Sequence, residues 1–394
     1  MLKRDRSSVV GSKRHGSSLV FKRHRSSVVE LLLPHDVVGL ILERLPVESL
    51  LRFKSVSNQW KSTIESRCFQ ERQLIRRMQS RGPDVLVVSF ADDNNGDDEA
   101  IRERRIVFGS SIVSTFRFPT WNTLLCYGSC DGLVCIYCFY SPNIVVNPAT
   151  KWHRSCPLSN LQQFLIDKYD KQECDFPTPS LGFGKDKLKG TFKQVWLYNS
   201  SEFGLDNATT CEVFDFSTNA WRYVHPASPC RINDYQDPVY FDGSLHWLTE
   251  GKECKILSFD LHTETFQVTC KAPFLRERDP VGDTMCILDN RLCVSEINGP
   301  AQLIWSLDSS GGNKTWKKLC SIDLTVNIDW FMSFSFPLSP IAILDETKLL
   351  LQGRNSLEHR VIYDLHTKSY DLLFDPKTGY AVYYYQSLFS ALSN

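Results

Sequence analysis

Between residues 33 and 69, hydrophobic positions follow the period of an α-helix rather than that of a strand. Pro34 and Asp36 form a helix start signal, and Val37, Leu40 and Ile41 follow at i, i+3 and i+4 spacing. This spacing predicts a first amphipathic helix whose apolar residues share one face.

Pro46 divides this helix from a second one, because proline ends a helix but fits the first turn of the next, where its missing N–H costs nothing. The second helix is predicted over three apolar residues: Leu50, Leu51 and Phe53. A third predicted helix carries three more on one face: Val56, Trp60 and Ile64. A polar helix over Gln70 to Gln79 is predicted to link this segment to the next domain.

Three short helices cannot hide all of these apolar side chains from water among themselves. The segment is therefore expected to leave an apolar face that needs a partner. That partner is either a second protein or the remainder of this chain, on which the helices would then lie as a structural cap.

Beyond residue 82 the helical period disappears, and short strand-like runs are separated by two turn signals. The first signal is a tight, Asp-Gly-like turn followed by Leu, at Asp131–Leu133, Asp242–Leu245, Asp289–Leu292 and Asp345–Leu349. The second signal is Asp or Asn, then Thr, then an aromatic residue, at Asn147–Trp152, Asp215–Trp221, Asp260–Phe266 and Asp364–Tyr370, with a longer version at Asp308–Trp316. Both signals predict hairpins between apolar strands.

The two signals define a unit of four antiparallel strands that repeats about every 50 residues, as in a kelch-like β-propeller blade. Five copies lie within residues 124–157, 181–224, 238–269, 284–322 and 341–374. Residues 84–118 and 380–391 would together supply a composite blade that closes the ring and removes exposed sheet edges. We therefore expect six blades, with five or seven as the alternatives.

The expected fold class is α+β and multidomain, with a small all-α domain before an all-β propeller-like domain. Residues 1–30 are predicted to be a disordered basic tail, residues 31–82 the helices and linker, and residues 83–394 the propeller. The tail repeats a pattern of Lys-Arg, Ser-Ser and two apolar residues three times. A nuclear-import patch, a kinase target and a solvated tail without a specific reader all fit this pattern.

Charge and hydropathy exclude several classes of function. Lys plus Arg and Asp plus Glu both total 45, so no overall field favours nucleic acid, and no nucleic-acid partner is expected. No stretch approaches the roughly 18 consecutive apolar residues of a membrane span, so no membrane partner is expected. Fourteen cysteines without a secretory signal predict reduced thiols and a location in the cytoplasm, the nucleus or both.

The residues predict no catalytic group, metal or cofactor. Cys135 and Cys138 have the spacing of half a zinc site, but no second pair follows, and an alternating strand would point them to opposite faces. His246 fits a hydrogen-bonded core imidazole better than a ligand. The acidic run at residues 92–99 lacks the final glutamate of a calcium loop and predicts a solvated hairpin loop. Tryptophans at equivalent blade positions favour core packing: Trp152, Trp221, Trp305 and Trp316.

The helical segment, residues 33–69, resembles an F-box, the module that docks a substrate receptor onto a Skp adaptor and a cullin scaffold. The resemblance rests on both Leu-Pro dipeptides, on Leu50-Leu51, on Val56 and on Trp60. It departs from the family pattern Val-Cys-Lys-x-Trp, because Asn58 stands in the position of the lysine. The remainder resembles the F-box-associated domain of large plant F-box families through Gly128–Cys135, Val146–Thr150, Leu181–Gly184 and Ile256–Asp260.

This resemblance implies a substrate receptor of a Skp–cullin–F-box ubiquitin ligase, which acts by proximity and contributes no catalytic residue. The expected partners are a Skp-type adaptor, through it a cullin scaffold, and an unknown protein target. Adaptor contacts are expected at Leu33, Pro34, Val37, Ile41, Leu45, Pro46, Leu50, Leu51, Val56 and Trp60. Because propellers usually bind at the loops of one end, target contacts are expected within residues 199–207, 229–237 and 276–282.

Two other classes of function remain open at this point. A propeller scaffold would carry the helices only as a cap, without binding an adaptor. A propeller enzyme would need metal ligands or catalytic groups that converge on the loops of one face, because the fold by itself does not confer activity. Adaptor binding and metal content would distinguish the three classes.

Overall fold

The computed structural model describes residues 34–80, 83–90, 101–108, 111–119, 126, 128–171, 179–234, 236–275, 282–308, 314–325, 338–344, 347–353, 360–374 and 379–390. Several features of the sequence analysis therefore lie wholly or partly outside the described residues. They are the basic tail of residues 1–30, Leu33, the acidic run 92–99, residue 235 of the second loop, residues 276–281 of the third loop, residues 309–313 of the longer turn and residues 345–346 of the last tight turn.

Four helices open the described chain: α1 (His35–Leu42), α2 (Val47–Phe53), α3 (Asn58–Glu65) and α4 (Arg67–Ser80). Pro34 and Pro46 occupy the N-cap positions of α1 and α2, in agreement with the predicted helix starts. The hydroxyl of Ser57 accepts a hydrogen bond of 3.1 Å from the backbone N–H of Trp60 and caps α3. The prediction that Val56 lies on the third helix is wrong, because Val56 lies in the turn before this cap.

These four helices, the helical module, enclose a small core. Leu42, Val47, Leu50, Ile64 and Phe69 are fully buried and pack together. Leu388, from the end of the chain, completes this cluster, so the propeller supplies part of the core that the short helices lack. The module is therefore joined to the propeller by apolar packing as well as by the chain.

After the helices, the described residues form six four-stranded antiparallel sheets, one for each blade. Blade 1 contains β24 (Gly379–Tyr384), β1 (Asp84–Phe90), β2 (Ile101–Phe108) and β3 (Ser111–Pro119). Blade 2 contains β4 (Ser129–Cys130), β5 (Leu133–Ile136), β6 (Ile144–Asn147) and β7 (Trp152–Ser155). Blade 3 contains β8 (Leu181–Lys185), β9 (Phe192–Asn199), β10 (Thr209–Asp215) and β11 (Ala220–Tyr223).

The last three blades match the three clearest predicted repeats. Blade 4 contains β12 (Val239–Phe241), β13 (Ser244–Leu248), β14 (Lys255–Asp260) and β15 (Phe266–Lys271). Blade 5 contains β16 (Thr284–Leu288), β17 (Arg291–Asn298), β18 (Ala301–Asp308) and β19 (Thr315–Asp323). Blade 6 contains β20 (Ser339–Ile343), β21 (Lys348–Gln352), β22 (Arg360–Asp364) and β23 (Tyr370–Phe374).

The first strand of each blade contacts the first strand of the next, and β24 contacts both β20 and β4. The six sheets therefore close into a ring. In blade 1, β24 pairs with β1 in a register that runs from Tyr384 opposite Asp84 to Gly379 opposite Ser89. This pairing of the two ends of the propeller confirms the predicted composite blade and the six-bladed ring.

Three of the four predicted tight turns between first and second strands lie within the described residues, and they have the backbone that their sequence predicts. Asp242 and Gly243 both have positive φ, 52° and 83°, and so do Asp131 with Gly132 and Asp289 with Asn290. Positive φ at both central positions is the type I′ geometry, whose twist matches that of the flanking strands. Asp, Asn and Gly tolerate this conformation better than other residues do, which explains the Asp-Gly-like signal.

The second turn signal also has a physical explanation. The carboxylate of Asp260 accepts hydrogen bonds from the N–H groups of His262, at 2.8 Å, and Thr263, at 2.7 Å. The side chains of Asn147 and Asp364 accept equivalent pairs of hydrogen bonds. An Asp or Asn side chain that bonds the following backbone in this way stabilises a tight turn, here between the third and fourth strands.

Among the described residues beyond residue 82, one α-helix departs from the expectation of strands alone. α5 (Asn160–Asp170) lies between β7 and β8. Ser159 and Gln162 form a capping box, in which each side chain bonds the backbone of the other at 3.0 Å. The Ser-x-x-Gln spacing is a local signal from which this helix could have been predicted. Within the described part of the chain, no helix is long and apolar enough to cross a membrane.

Candidate functional site

The antiparallel order of the strands gives the propeller two different ends. The turn end carries the turns between first and second strands and between third and fourth strands. The loop end carries the loops between second and third strands and the connections between blades, including α5. Any partner that binds one end therefore leaves the other accessible.

The helical module lies at the turn end. Nη2 of Arg67 donates a hydrogen bond of 2.9 Å to the carbonyl of Gly190, in the turn between β8 and β9. Arg77 and Asp84 form an ion pair of 2.7 Å at the start of β1, with side chains only 17% and 8% exposed. Leu388 packs in the core of the module. Polar and apolar contacts together fix the module against the propeller.

An exposed apolar face remains on the helical module after this docking. Val37, Leu40 and Ile41 are 38%, 51% and 45% exposed, and their i, i+3 and i+4 spacing places them on one side of α1. Val56, in the turn between α2 and α3, is 58% exposed. Large apolar side chains clustered at the surface of one small domain are typical of a protein-binding face.

The predicted adaptor contacts fall into four groups. Five of them are exposed: Pro34, Val37, Ile41, Pro46 and Val56. Three are partly buried in the module: Leu45, Leu51 and Trp60. Leu50 is fully buried, so it shapes the face from below rather than lying on it. Leu33 lies outside the described residues.

Leu40 belongs to the exposed face but is absent from the predicted contacts. It lies between Val37 and Ile41 on α1, and more than half of its side chain is accessible. Its i+3 spacing from Val37 is the signal that marks it, because residues three apart in a helix share one side. Leu40 and Ile41 are therefore the largest accessible apolar groups of α1.

Two of the three predicted target loops meet at the loop end. Residues 199–207 run through a single 3-10 turn, Ser200–Phe203, and residues 229–237 lie between β11 and β12. Asn199 joins the two loops, because its side chain donates to the carbonyl of Ile232 and accepts from the N–H of Ile232, both at 2.9 Å. Contact with a target at these loops stays a prediction.

Three carboxylates gather where these loops meet. Oxygen atoms of Glu202, Asp234 and Glu250 lie within 4.8 Å of one another. Burial, together with the hydrogen bond and negative charge of Glu202, raises the pKa of Asp234 to about 7. Arg231 lies 2.9 Å from Glu202 and 2.7 Å from Glu250 and already supplies a counter-charge. The three carboxylates could hold a cation only in competition with this guanidinium.

α5 is held firmly against the loop end. The carboxylate of Glu212, a buried residue on β10, accepts hydrogen bonds of 2.9 Å from the N–H groups of Asn160 and Leu161. A carboxylate at this position satisfies free N–H groups and complements the positive end of the helix dipole. Burial nevertheless raises the pKa of Glu212. The outer side of α5 presents Tyr169, which is 44% exposed.

Family models match both parts of the chain. The F-box domain model matches residues 31–72, and the model of the F-box associated beta propeller domain matches residues 118–390. The chain belongs to the F-box proteins. The matched propeller region begins at residue 118, whereas the structure adds β1, β2 and most of β3 from earlier residues to complete blade 1.

Curated plant relatives agree with this family. One F-box protein of Arabidopsis thaliana is 84% identical over 316 residues, which cover 80% of this chain and 100% of the relative. A second one is 50% identical over 393 residues, 92% of this chain and 100% of the relative. A third Arabidopsis thaliana protein, named as an F-box/LRR-repeat/kelch-repeat protein, is 51% identical over 386 residues, 94% of this chain and 99% of the relative.

The residues of this F-box protein that resembled metal ligands lie in the core. Cys135 packs with Trp196 between blades 2 and 3, whereas Cys138 packs with Leu86 and Val88 of blade 1. The two thiols therefore point to opposite faces of their sheet, as the alternation predicts. Burial raises the pKa of both. They pack as small apolar groups.

All four repeated tryptophans pack against the cores of the blades, as predicted. Trp152, Trp221 and Trp316 lie on fourth strands, but Trp305 lies on β18, the third strand of blade 5, so the prediction that all four occupy equivalent positions is wrong. Nε1 of Trp221, on β11, donates a hydrogen bond of 2.8 Å to the carbonyl of Pro157, after the last strand of the preceding blade. Trp316, on β19, makes the equivalent bond of 2.7 Å to Lys271 on β15. Each of these side chains thus ties its blade to the preceding one.

Proposed function

We propose that this F-box protein is the target-recognition subunit of a Skp–cullin–F-box ubiquitin ligase. A Skp-type adaptor would bind the exposed face of the helical module, and a protein target would bind the loop end of the propeller. The chain itself would contribute no catalytic group. The protein would promote the transfer of ubiquitin to the target by holding the target near the ubiquitin-carrying subunits.

The exposed apolar face of α1 carries this proposal. Val37, Leu40 and Ile41 stay accessible although the opposite side of the module packs around Leu50 and against Leu388. A helical module that served only as a cap would turn its apolar residues toward the propeller. The cap interpretation accounts for the buried side of the module, and adaptor binding accounts for the exposed one.

The two-ended architecture supports the second half of the proposal. The module occupies the turn end, and the loops that Asn199 joins lie at the loop end. Adaptor and target would therefore bind without competing for surface. The predicted location in the cytoplasm, the nucleus or both is part of this proposal, because ubiquitin ligases of this kind act there.

Adaptor binding is tested with the full-length protein and a purified plant Skp adaptor. Ile41→Asp places a charge in the middle of the exposed face, where a well-packed contact contributes about 2 kcal/mol, so affinity should fall roughly 30-fold or more. Leu188→Asp is the matched control, since Leu188 is 78% exposed but lies in the turn between β8 and β9. Circular dichroism checks that both variants fold.

Two outcomes would reject the proposal. If the wild type does not bind the adaptor, the helical module is a cap and the protein is a propeller scaffold. If Ile41→Asp binds as tightly as Leu188→Asp, the adaptor does not use this face. Loss of binding in Ile41→Asp alone would support the receptor function.

A further inference from the structure

Blade 5 contains a pair of cysteines placed directly opposite each other on neighbouring strands. Cys286 on β16 is the register partner of Cys293 on β17. Residues directly opposite on antiparallel strands have Cα atoms about 4.5–5.5 Å apart, within the roughly 4.4–6.8 Å that disulfides span. Among the described strand pairings, no other register joins two cysteines.

The two side chains also share one face of the sheet. Cys293 is fully buried in the apolar cluster between blades 5 and 6, and Cys286 packs against the same cluster while staying partly accessible. A third cysteine, Cys320, packs against this cluster, but it lies opposite Ile304 on β18 rather than opposite a thiol. The geometry therefore selects Cys286 as the partner of Cys293.

The thiols of the pair interact with each other. A hydrogen bond from the Cys286 thiol lowers the pKa of Cys293, whereas the same bond and burial raise the pKa of Cys286. Other buried thiols of the protein, such as Cys126 and Cys135, have a raised pKa because burial disfavours their thiolates. Since the thiolate is the nucleophile, Cys293 is the more reactive member of the pair.

We propose that Cys286 and Cys293 form an oxidation site, at which hydrogen peroxide converts the two thiols into an intramolecular disulfide. The sulfur of Cys293 attacks one peroxide oxygen, the O–O bond breaks, and the other oxygen leaves as water with the thiol proton. The Cys293 sulfenic acid is then attacked by the sulfur of Cys286. The S–O bond breaks, and its oxygen leaves as a second water with the proton of Cys286.

This inference is independent of the proposed ligase function. The disulfide would link the first and second strands of blade 5 across the turn formed by Asp289 and Asn290. Peroxide is small enough to reach the pair from the partly accessible Cys286 side. The reaction consumes one peroxide for each disulfide and is reversed by a dithiol reductant.

Peptide mapping tests the site directly. Arg291 lies between the two cysteines, so trypsin separates them into the peptides 279–291 and 292–314. Full-length protein treated with hydrogen peroxide and then alkylated should yield these two peptides joined by a bond that dithiothreitol removes. Cys293→Ser should abolish the linked species, and Cys320→Ser, the matched control in the same cluster, should retain it.

Cys68 is exposed, so oxidation of its thiol shows that the peroxide dose was sufficient. The inference is overturned if both peptides stay alkylated and unlinked at a peroxide dose that oxidises Cys68. It is also overturned if Cys293 is found linked to Cys320, or if the linked species survives in Cys293→Ser. Circular dichroism of each variant before treatment excludes misfolding as the reason for a lost link.

Discussion

The side-chain amide of Asn147 donates a hydrogen bond of 2.8 Å to the backbone carbonyl of Phe389, 242 residues later in the chain. The same amide donates to the carbonyl of Ser387 at 3.0 Å. Between these two residues, Leu388 inserts into the core of the helical module. The end of the chain therefore connects three parts: the ring-closing strand β24, blade 2 and the F-box helices.

We expect Asn147→Ala to destabilise the protein by about 2–3 kcal/mol, because it leaves buried carbonyls without their donor and also removes the turn bonds to Ala149 and Thr150. Urea unfolding followed by tryptophan fluorescence measures this loss. Asn207→Ala, at an exposed position in the loop after β9, should change stability by less than about 0.5 kcal/mol. Equal midpoints for the two variants would contradict the role of the Asn147 bonds.

Substitutions of Leu50 and Leu40 should have separate effects, the first on stability and the second on adaptor affinity. Leu50→Ala opens a cavity in the core of the helical module and should cost about 3 kcal/mol of stability. Leu40→Ala removes an exposed side chain, so stability should change little while adaptor affinity falls. Thermal unfolding and adaptor titration on the same two samples check this. A large loss of stability in Leu40→Ala would show that this face is not free.

Lys193 forms a buried link between blades 3 and 4. Its Nζ lies 2.7 Å from Glu264 and 2.5 Å from the carbonyl of Leu261, and its side chain is 2% exposed. Lys193→Met should destabilise by about 2 kcal/mol, because the carbonyl of Leu261 loses its charged donor and Glu264 loses one of its two cationic partners, while Arg222 remains. The control Lys187→Met breaks an ion pair to Asp242 at the surface, which should cost about 0.5 kcal/mol or less. Chemical denaturation of both variants measures the two losses of unfolding free energy, and equal losses would contradict the role of Lys193.

His246 should make stability depend on pH. Nε2 donates to the carbonyl of Phe241 at 3.3 Å, and Nδ1 accepts from the hydroxyl of Ser258 at 2.7 Å, which is the pattern of a neutral ring. Burial lowers the pKa of His246 to about 4 from the usual value of 6.5. Between about pH 4 and pH 6.5 the unfolded state binds the proton and the folded state does not. Stability should therefore fall as pH drops from about 6.5 to about 4.

The contribution of His246 to this fall in stability is about 2.5 kcal/mol. Unfolding free energies measured at several pH values between 4.5 and 7.5 should show a shallower slope in His246→Gln than in the wild type. The exposed residue His225 provides the control, and His225→Gln should keep the wild-type slope. An unchanged slope in His246→Gln would mean that other groups control acid sensitivity.

Local signals in the sequence determined most of the propeller. A type I′ turn needs two residues that tolerate positive φ, so Asp242 and Gly243 mark a hairpin wherever they stand between apolar runs. The side chain of Asp260 bonds the backbone of its own turn, which again needs no distant contact. Because strands, turns and repeats are set by such short-range interactions, blade boundaries and the composite blade were predictable.

The tertiary structure decided which apolar residues of the helices are exposed and which are buried. Leu40 and Leu50 both lie in apolar helical patterns. Leu50 is buried in a cluster that includes Leu388, from a distant part of the chain, whereas Leu40 stays accessible. No local pattern contains that distant contact, so the predicted contacts included the buried residue and omitted the exposed one. α5 is different, because its capping box is a local signal that needs no distant contact.

The sequence by itself determined that an F-box-like helical segment precedes a propeller of repeated four-stranded blades, since period and turn chemistry are local properties. Only the tertiary structure decided which ends of the propeller the module and the loops occupy, how Asn199 joins two loops, and that Cys286 faces Cys293. These relationships depend on strand register and on the closure of the ring, which bring together residues far apart in the chain.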